Sequence, residues 1–283
     1  MKKIIITGVS TGIGYSTAKI LCNAGYTVYG SVRKREDAEQ IAGTLGDNFY
    51  PLIFDVTDSK AIYNNVEKVR SKLLPGEYIA GLVNNAGIAL GGPVTLIDTE
   101  IFRKQFEVNF FGLIDITKAC LPLLGASKGS NNQGKIINIS SVSGKRSYPF
   151  IAPYTASKFA VEAFSDSLRR ELMIYGVDVI LIEPGPIKTA IWNKTPDPEN
   201  NEFLGTDYEQ SLGQFYKKFI EMGKKGLDPD IVGNRIKSIL QDPKPRIRHV
   251  ITPNRFLNYT LPGILPSRMF DKLVGKGLGL LKK

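Results

Sequence analysis

The sequence predicts an α/β fold in which strands and helices alternate around an open sheet. Two observations support this prediction. Short apolar runs rich in β-branched residues alternate along the chain with longer segments of helical periodicity. Small or polar residues follow several of these runs, and ligands of open α/β sheets bind outside the carboxyl ends of the strands. We therefore expect a ligand site where the strands end.

Seven apolar runs are interpreted as strands. They cover residues 3–7, 26–32, 49–54, 79–83, 136–139, 177–182 and 249–251. Apolar residues at helical spacing predict helices over about residues 17–24, 61–73, 99–126, 154–175 and 229–240. The alternation continues to residue 251, so we expect one domain over residues 1–253 and a C-terminal extension over residues 254–283.

The composition favours a cytoplasmic protein. The chain has 283 residues, and its hydrophobic fraction of 42% is spread evenly, which is enough for a sizeable core. No run approaches the roughly 20 apolar residues that a membrane-spanning helix needs. The first predicted strand begins at Lys3, which leaves no room for a signal peptide.

The chain is basic, but its charges are dispersed. The formal net charge is +10, and 37 lysines and arginines are scattered among 27 acidic residues. A nucleic-acid binding face would cluster the basic residues, so no nucleic-acid partner is expected. An anionic cofactor, an acidic substrate, a membrane surface or a generally solvated exterior would each account for the charge.

Cysteine and histidine usage argues against metal sites. Cys22 and Cys120 lie in apolar helical patterns without CxxC spacing, and we interpret them as buried structural thiols. The single histidine, His249, is too few for an HExxH zinc site and argues against a Ser-His-Asp triad. We expect no metal.

The loop after the first strand has the pattern of a phosphate-binding turn. Residues 8–14 read Gly-Val-Ser-Thr-Gly-Ile-Gly and lead into a helix that Gly25 ends. Glycines let the backbone approach a pyrophosphate, and the N–H groups of a helix N-terminus favour its negative charge. An ordinary tight turn would also use glycine, but the position at the first strand-helix junction favours a bound dinucleotide.

The end of the second strand bears on which dinucleotide binds. An acidic residue there usually takes the ribose 2′-hydroxyl of NAD, whereas an arginine accommodates the 2′-phosphate of NADP. Val32 is followed by Arg33, Lys34 and Arg35, and no acid occurs before Glu36. We expect NADP(H) to be preferred, with NAD(H) as the alternative. A solvated basic turn is the competing interpretation of Arg33.

Two further strand ends present polar or small residues. Asp55 follows the third strand, and we expect it to accept a hydrogen bond from an adenine amino group, while Asp58 or Thr57 caps the next helix. Residues 84–87, Asn-Asn-Ala-Gly, follow the fourth strand. They either start an ordinary loop or let the chain pass beneath an adenosine ribose.

Residues 134–158 are where we expect the chemistry. The fifth strand runs into a serine cluster, and Tyr154 and Lys158 follow four residues apart at the start of a helix, where they share one face. A neighbouring ammonium would lower the pKa of the phenol from about 10 and make it a usable general acid/base. A serine hydroxyl at the strand end would complete the site.

Asn109 lies among bulky apolar neighbours in the long segment of helical pattern. A buried amide is costly unless it is hydrogen-bonded. We therefore expect Asn109 either to stabilise an irregularity in the helix or to hold a water near Lys158.

Two segments after the main motifs have less regular patterns. Residues 190–225 are interpreted as a substrate lid, and their aromatic residues suggest an apolar substrate. The extension over residues 254–283 mixes apolar and basic residues. It would cover the mouth of the site or form a subunit contact; a peripheral membrane contact is the alternative that we rank lower.

These motifs resemble, as a set, those of the short-chain dehydrogenase/reductase family over about the first 190 residues. Residues 7–14 match TGxxxGxG, residues 84–87 match NNAG, and residues 154–158 match YxxxK. Ser141 stands at the family's usual distance before the tyrosine, and Asn109 and residues 184–189 also match.

The resemblance implies a Rossmann-type, doubly wound parallel sheet of about seven strands in a dinucleotide-binding catalytic domain. It also implies hydride transfer between NADP(H) and a carbonyl or alcohol, commonly in a homodimer or homotetramer. Ser141 would hold the substrate oxygen, Tyr154 would transfer its proton, and Lys158 would bind the nicotinamide ribose and stabilise the phenolate. Asn109 would fix a water in the proton relay. The tail is similar to that of members acting on lipophilic alcohols such as steroids and retinoids.

The residues expected to contact the cofactor come from the glycine loop, four strand ends and the catalytic pair. They are Gly8, Ser10, Thr11, Gly12, Ile13, Gly14, Arg33, Asp55, Val56, Asn85, Ala86, Gly87, Tyr154, Lys158, Pro184, Gly185, Ile187 and Thr189. The resemblance places Ile187 and Thr189 at the carboxamide.

Two other functions use the same fold. A non-catalytic NADPH-binding sensor or scaffold is the first, because a fold does not imply an activity. The complete set of Asn109, Ser141, Tyr154 and Lys158 argues against it, since a sensor needs no proton donor. A sugar-nucleotide epimerase has less support, because the chain after Thr189 offers a lid and a tail rather than a second lobe.

Overall fold

A single parallel sheet of seven strands forms the centre of the protein. The structure, a computed structural model, describes residues 2–130, 132–194, 197 and 201–282. The strands are β1 (Lys3–Ile6), β2 (Thr27–Val32), β3 (Phe49–Ile53), β4 (Ile79–Asn84), β5 (Lys135–Ile139), β6 (Asp178–Pro184) and β7 (Arg248–Ile251). Their order is β3-β2-β1-β4-β5-β6-β7, and every neighbouring pair is parallel. The predicted doubly wound α/β fold is confirmed.

Helices cover both faces of the sheet. They are α1 (Gly12–Asn23), α2 (Arg35–Leu45), α3 (Ser59–Arg70), α4 (Thr99–Phe106), α5 (Gly112–Cys120), α6 (Ala152–Glu171), α7 (Glu209–Lys224), α8 (Pro229–Gln241), α9 (Leu261–Ile264) and α10 (Ser267–Leu278). One core cluster joins the sheet to α1, α2 and α8, and a second joins the opposite face to α3, α5 and α6. In the described part of the chain, no helix combines the length and hydrophobicity that crossing a bilayer requires.

The central strands are largely apolar because both of their faces are covered. Ile4, Ile5 and Ile6 of β1 are fully buried, and they divide between the two core clusters. Continuous burial of this kind is typical of a parallel strand between two layers of helices. A polar side chain inside such a strand needs a hydrogen-bond partner, whereas the strand ends can carry polar side chains freely.

Two segments differ from the predicted helices and loops. The predicted helix over residues 99–126 is interrupted by a π-helical turn, Glu107–Phe111, which contains Asn109. The irregularity expected at this residue is thus confirmed. The second half of the predicted lid is a helix, α7, rather than a loop, because Leu212, Phe215 and Tyr216 bury one side of it. Residues 195, 196 and 198–200 of the lid lie outside the described residues.

A chain of buried hydrogen bonds connects helices α5 and α6 through strands β4 and β5. The Asn84 amide donates to Thr117 Oγ1 at 2.9 Å and to Asn138 Oδ1 at 2.8 Å. The Asn138 amide then donates to Ser165 Oγ at 2.8 Å, and Ser165 donates to the Val161 carbonyl. Because buried polar groups are costly without partners, this chain fixes helix α6 against the sheet.

We expect Asn138→Ala to lower the free energy of unfolding by about 1–3 kcal/mol, since it removes two buried hydrogen bonds and leaves the Asn84 amide short of an acceptor. Urea unfolding measures the change. In a double-mutant cycle with Asn84→Ala, the two losses should not add. Additive losses would show that the two amides are energetically independent.

Candidate active site

The predicted site residues gather at the carboxyl ends of β1, β4, β5 and β6. Strands β1 and β4 are neighbours in the sheet although two other strands separate them in sequence. The chain leaves β1 toward one edge and returns at β4 to continue toward the other edge. A crevice opens where the strand order reverses in this way, and the glycine loop and the stretch over residues 134–158 both border it.

Asn85 holds the glycine loop in place. Its side-chain amide donates to the carbonyls of Thr7 and Gly8, both at 2.9 Å. Thr7 Oγ1 in turn accepts from the backbone N–H groups of Asn85 and Ala86 at 2.9 and 3.0 Å. The Asn85 side chain, predicted to contact a cofactor, is therefore engaged with the loop.

The first and last glycines of the loop cannot carry a side chain. Gly8 has a φ of +70°, and a Cβ there would lie 2.9 Å from Ala86 Cα. A Cβ on Gly14 would lie 2.2 Å from the Gly8 carbonyl oxygen and 2.4 Å from the Asn85 amide nitrogen. The backbone of the loop therefore packs directly on itself and on the end of β4.

The N-terminus of α1 suits an anion. Thr11 at the N-cap makes no side-chain hydrogen bond to the first turn of this fully described helix, and the turn has no acidic residue. The unpaired N–H groups and the helix dipole favour a negative ligand there. Ser10, Thr11 and Arg33 are exposed at the same edge of the sheet, after the carboxyl ends of β1 and β2. Gly12 and Ile13 lie in the same first turn.

A cavity of about 580 Å³ lies beside this helix end. Its lining includes Gly12, Thr189 and three lysines, Lys19, Lys188 and Lys224. Asp230 also lines it, and its carboxylate accepts a hydrogen bond of 2.6 Å from Ser16. The lysines add positive charge next to the loop, as a pyrophosphate would require.

The acidic residues after β3 have local partners. Asp55 Oδ1 accepts from both the backbone N–H and the hydroxyl of Thr57 at 2.9 Å. Asp58 accepts from the Ala61 N–H and caps α3, as predicted. The adenine contact of Asp55 stays a prediction, as does the cofactor contact of Val56, which is 8% exposed. The Val56 carbonyl packs closely on Gly112, since a Cβ added to Gly112 would lie 2.5 Å from the Val56 carbonyl oxygen.

Ser141, Tyr154 and Lys158 are brought together by β5 and α6. Ser141 follows β5, where its hydroxyl accepts from the Ser143 N–H at 3.1 Å and lies 3.5 Å from the Pro184 carbonyl. Lys158 is 7% exposed, and its ammonium donates to the Ile139 carbonyl at the end of β5 at 2.8 Å. The same ammonium lies 5.8 Å from the centre of the Tyr154 ring.

The pKa values of the tyrosine and lysine differ from the prediction. Burial raises the pKa of Tyr154 above its usual value near 10, and a hydrogen bond with Ser141 opposes this shift only in part. Burial lowers the pKa of Lys158 to about 8, against the opposing charge of Glu162. The expectation of a phenol pKa below 10 is thus wrong, because burial of Tyr154 outweighs the effects that favour the phenolate.

Asn109 joins the π-helical turn to the loop after β4 and to helix α6. Its Oδ1 accepts from the Ile88 N–H at 2.8 Å, and its amide donates to the Ile88 carbonyl at 3.0 Å and to Ser157 Oγ at 3.2 Å. Oδ1 also lies close to Gly87, where a Cβ would come within 3.2 Å. The amide has all the partners that its burial demands; the water that it would fix stays a prediction.

The segment after β6 packs onto the glycine loop. The Gly185 N–H donates to the Ile251 carbonyl at 2.8 Å, next to Pro184 at the end of β6. The Ile187 side chain is 3% exposed and lies in the core, and its predicted contact with the carboxamide stays a prediction. A Cβ on Gly12 would lie 3.0 Å from Thr189, which shows how closely this segment approaches the loop.

An aromatic cluster beside Tyr154 was not foreseen as a unit. We define it as Phe150, Phe203, Phe215 and Tyr216, which are buried together against Tyr154. The Phe150 ring meets the rings of Tyr208 and Phe215 edge-on at 5.9 and 5.6 Å. Phe150 also has a φ of +68°, a strained value for a non-glycine residue. Neither the strain nor the packing has a local sequence signal.

A buried ionic cluster lies behind Lys158. Arg248 on β7 pairs with Glu162, Asp166 and Glu183 at 3.2, 2.9 and 3.3 Å. Lys145 pairs with Glu162 at 2.9 Å. The sequence contains one signal of this cluster, since residues 158, 162 and 166 are charged and stand at a four-residue spacing on one helix. Among the described residues, no group of His, Cys, Asp and Glu side chains is arranged to hold a metal.

We expect Glu162→Gln to lower the pKa of Lys158 below about 8, because the Glu162 charge is what opposes the effect of burial. A pH titration of the Lys158 Cε resonance by ¹³C NMR measures this. Asp166→Asn, one turn further along α6, is the control and should leave the Lys158 titration nearly unchanged. An unaltered titration in Glu162→Gln would remove this role of the carboxylate.

Comparisons with known proteins agree with this geometry. The model of the short chain dehydrogenase family matches residues 2–200. The chain is 42% identical over 278 residues, 98% of each protein, to the NADPH-dependent 3-dehydrocapnine reductase of Ornithobacterium rhinotracheale. It is 34% identical over 252 residues to the 3-ketodihydrosphingosine reductase of Bacteroides thetaiotaomicron, which covers 88% of this chain and 87% of that protein.

A solved structure extends the similarity to the fold. The crystal structure of a short-chain dehydrogenase from Streptomyces avermitilis superposes with a TM-score of 0.76 at 25% identity, and the match covers 98% of this chain and 97% of that one. The sequence match, the strand order and the arrangement of the site agree, and the chain belongs to the short-chain dehydrogenase family of oxidoreductases.

Proposed function

We propose that this protein is an NADPH-dependent reductase of a lipophilic carbonyl compound, with Tyr154 as the general acid. The observation that supports it best is the state of Tyr154. Its phenol is hydrogen-bonded to Ser141, and its ring lies 5.8 Å from the ammonium of Lys158 and borders the aromatic cluster. Burial raises its pKa. A phenol that stays protonated at neutral pH is suited to donate a proton.

The residues present fit a dinucleotide. The close packing at Gly8 and Gly14 fixes the backbone of the loop, and the first turn of α1 has unpaired N–H groups and no acid. Arg33, which is exposed, would take a 2′-phosphate. When bound, NADPH supplies the hydride. The similarity to an NADPH-dependent reductase at 42% identity supports this choice of cofactor.

The chain's own groups account for the proton. As the carbonyl carbon is reduced, negative charge develops on the substrate oxygen. Ser141 would donate a hydrogen bond to that oxygen, and Tyr154 would transfer its phenolic proton to it, leaving a phenolate. Lys158, which is protonated below a pKa of about 8, would stabilise the phenolate. Before the phenolate forms, the hydrogen bond from Lys158 to the Ile139 carbonyl holds the ammonium at the end of β5.

The substrate class follows from what surrounds Tyr154. The aromatic cluster, together with Leu278 of α10, forms an apolar wall next to the phenol. Such a wall favours an apolar substrate body with a single polar reacting group. The two reductases described above are named for 3-dehydrocapnine and 3-ketodihydrosphingosine, and the second name specifies a ketone. We therefore propose a lipophilic ketone as the substrate class.

We expect Tyr154→Phe to bind NADPH as the wild type does and to lose turnover by several decades, because the variant lacks the only proton donor at this position. NADPH absorbance is followed against aldehydes and ketones of increasing apolar bulk, and fluorescence titration measures cofactor binding. Lys158→Met should impair both binding and turnover. Turnover retained by Tyr154→Phe would contradict the proposed role of the phenol.

The same panel separates an enzyme from a sensor. If the wild type binds NADPH but reduces no member of the panel and oxidises no alcohol with NADP⁺, the non-catalytic function gains support over the reductase.

We expect Arg33→Ala to weaken NADPH binding by one to two decades and to leave NADH binding nearly unchanged. The charge-assisted hydrogen bonds that it removes are worth about 1.5–3 kcal/mol. Dissociation constants for both cofactors measure the effect, and Lys34→Ala, the next residue, is the matched control. An equal loss for NADPH and NADH would remove the proposed 2′-phosphate contact.

A further inference from the structure

We infer that the C-terminal extension, residues 254–282, docks the protein on an anionic phospholipid bilayer through the outer side of helix α10. The inference concerns binding alone and does not depend on the proposed activity. Four features of the described residues lead to it: an anchored inner side, an exposed apolar outer side, a concentration of positive charge, and a position next to the active site.

The inner side of the extension is fixed to the catalytic region. Arg146 donates to the carbonyls of Pro262 and Leu265 at 2.6 and 2.9 Å, and its guanidinium lies 5.2 Å from the centre of the Phe270 ring. Tyr148 meets the same ring edge-on. Arg146 and Tyr148 belong to the loop that connects Ser141 to Tyr154. The extension therefore has a defined orientation relative to the site.

The outer side of helix α10, which faces away from the catalytic region, exposes large apolar side chains. Met269 and Leu273 are 52% and 54% exposed and stand four residues apart on one face of α10. Other large side chains of the extension are exposed as well; they are Phe256, Leu257, Ile264, Leu280 and Leu281. Single exposed apolar residues are ordinary, but a concentration of them in one segment marks an interaction surface.

Positive charge accompanies these apolar residues. The 30 residues from Asn254 to Lys283 contain six basic residues and one acidic residue, so this tenth of the sequence supplies half of the net charge of +10. On α10, Lys272 and Lys276 are exposed and stand three residues after Met269 and Leu273, which places a basic row beside the apolar row. An exposed apolar row flanked by lysines is typical of a helix that lies in the interface of an anionic membrane.

The charge also distinguishes a bilayer from a second copy of the chain. A symmetric dimer through this surface would bring the two basic rows of identical helices together, and like charges at short range repel. In an anionic bilayer, the hydrocarbon region would bury Met269 and Leu273, and the headgroups would neutralise the charge of the lysines. It would also bring the mouth of the site to the phase in which lipophilic molecules dissolve.

Sedimentation with vesicles tests the inference on the full-length protein. We expect the wild type to sediment with vesicles of phosphatidylcholine and phosphatidylglycerol, but not with vesicles of phosphatidylcholine alone. Two variants, Met269→Ser/Leu273→Ser and Lys272→Glu/Lys276→Glu, should each lower the affinity for the anionic vesicles by about tenfold or more. Circular dichroism and NADPH binding check that the variants are folded.

Matched controls place equivalent changes elsewhere on the surface. Met173→Ser/Ile174→Ser alters two residues that are 68% and 79% exposed before β6, at the end of the sheet opposite the site. Lys60→Glu/Lys68→Glu makes the same change of charge on α3. Both should retain vesicle binding. An equal loss in these controls, or no wild-type binding to anionic vesicles, would overturn the inference. So would a dimer, detected by light scattering, that Met269→Ser/Leu273→Ser dissociates while vesicles do not bind.

Discussion

Burial of the central strands on both faces is the constraint on which the rest of the structure depends. The side chains of β1, β4, β5 and β6 are almost entirely enclosed between two layers of helices. Polar groups inside such a sheet need partners along the sheet, and the Asn84–Asn138–Ser165 chain supplies them. All other chemistry is displaced to the carboxyl ends, where the backbone leaves the sheet and side chains from several strands meet.

The same constraint explains why the site is built from small residues and backbone groups. The glycine loop, the Asn85 amide and the segment around Thr189 approach one another at distances that leave no room for a Cβ at Gly8 or Gly14. Because the backbone packs closely here, its N–H groups are held in fixed positions and remain accessible to a ligand. Tyr154 and Lys158, whose catalytic roles are proposed above, then stand on α6, which the hydrogen bonds of Ser165 and Lys158 hold against β5.

The features that sequence could predict are those with a local chemical signal. The strands, the glycine loop, the cap at Asp58 and the irregularity at Asn109 follow from composition and spacing over a few residues, and the structure agrees with them. The aromatic cluster around Phe150 and the partners of Arg248 depend on residues far apart in sequence. No local pattern encodes those contacts, so they could be found only once the fold brought them together.

The error about Tyr154 has a more specific cause. A four-residue spacing on a helix brings two side chains to one face, but it does not decide where a long side chain points. The Lys158 ammonium donates to the Ile139 carbonyl, and burial of the phenol is the largest cause of the raised pKa of Tyr154. Sequence can place a charge near a phenol, whereas the sign of the pKa shift depends on how far the phenol is buried.

The buried lysine shows that the site is retained at a cost to stability. Its pKa is about 8 in the folded protein against 10.5 in the unfolded chain. Between these values the unfolded state binds more protons, so this residue's contribution to stability rises with pH across the window and is least favourable below about pH 8. The difference corresponds to about 3 kcal/mol at neutral pH. Leucine at this position would avoid that cost, but it could neither bond to the Ile139 carbonyl nor stabilise a phenolate. The position of Lys158 is therefore better explained by the chemistry of the site than by folding.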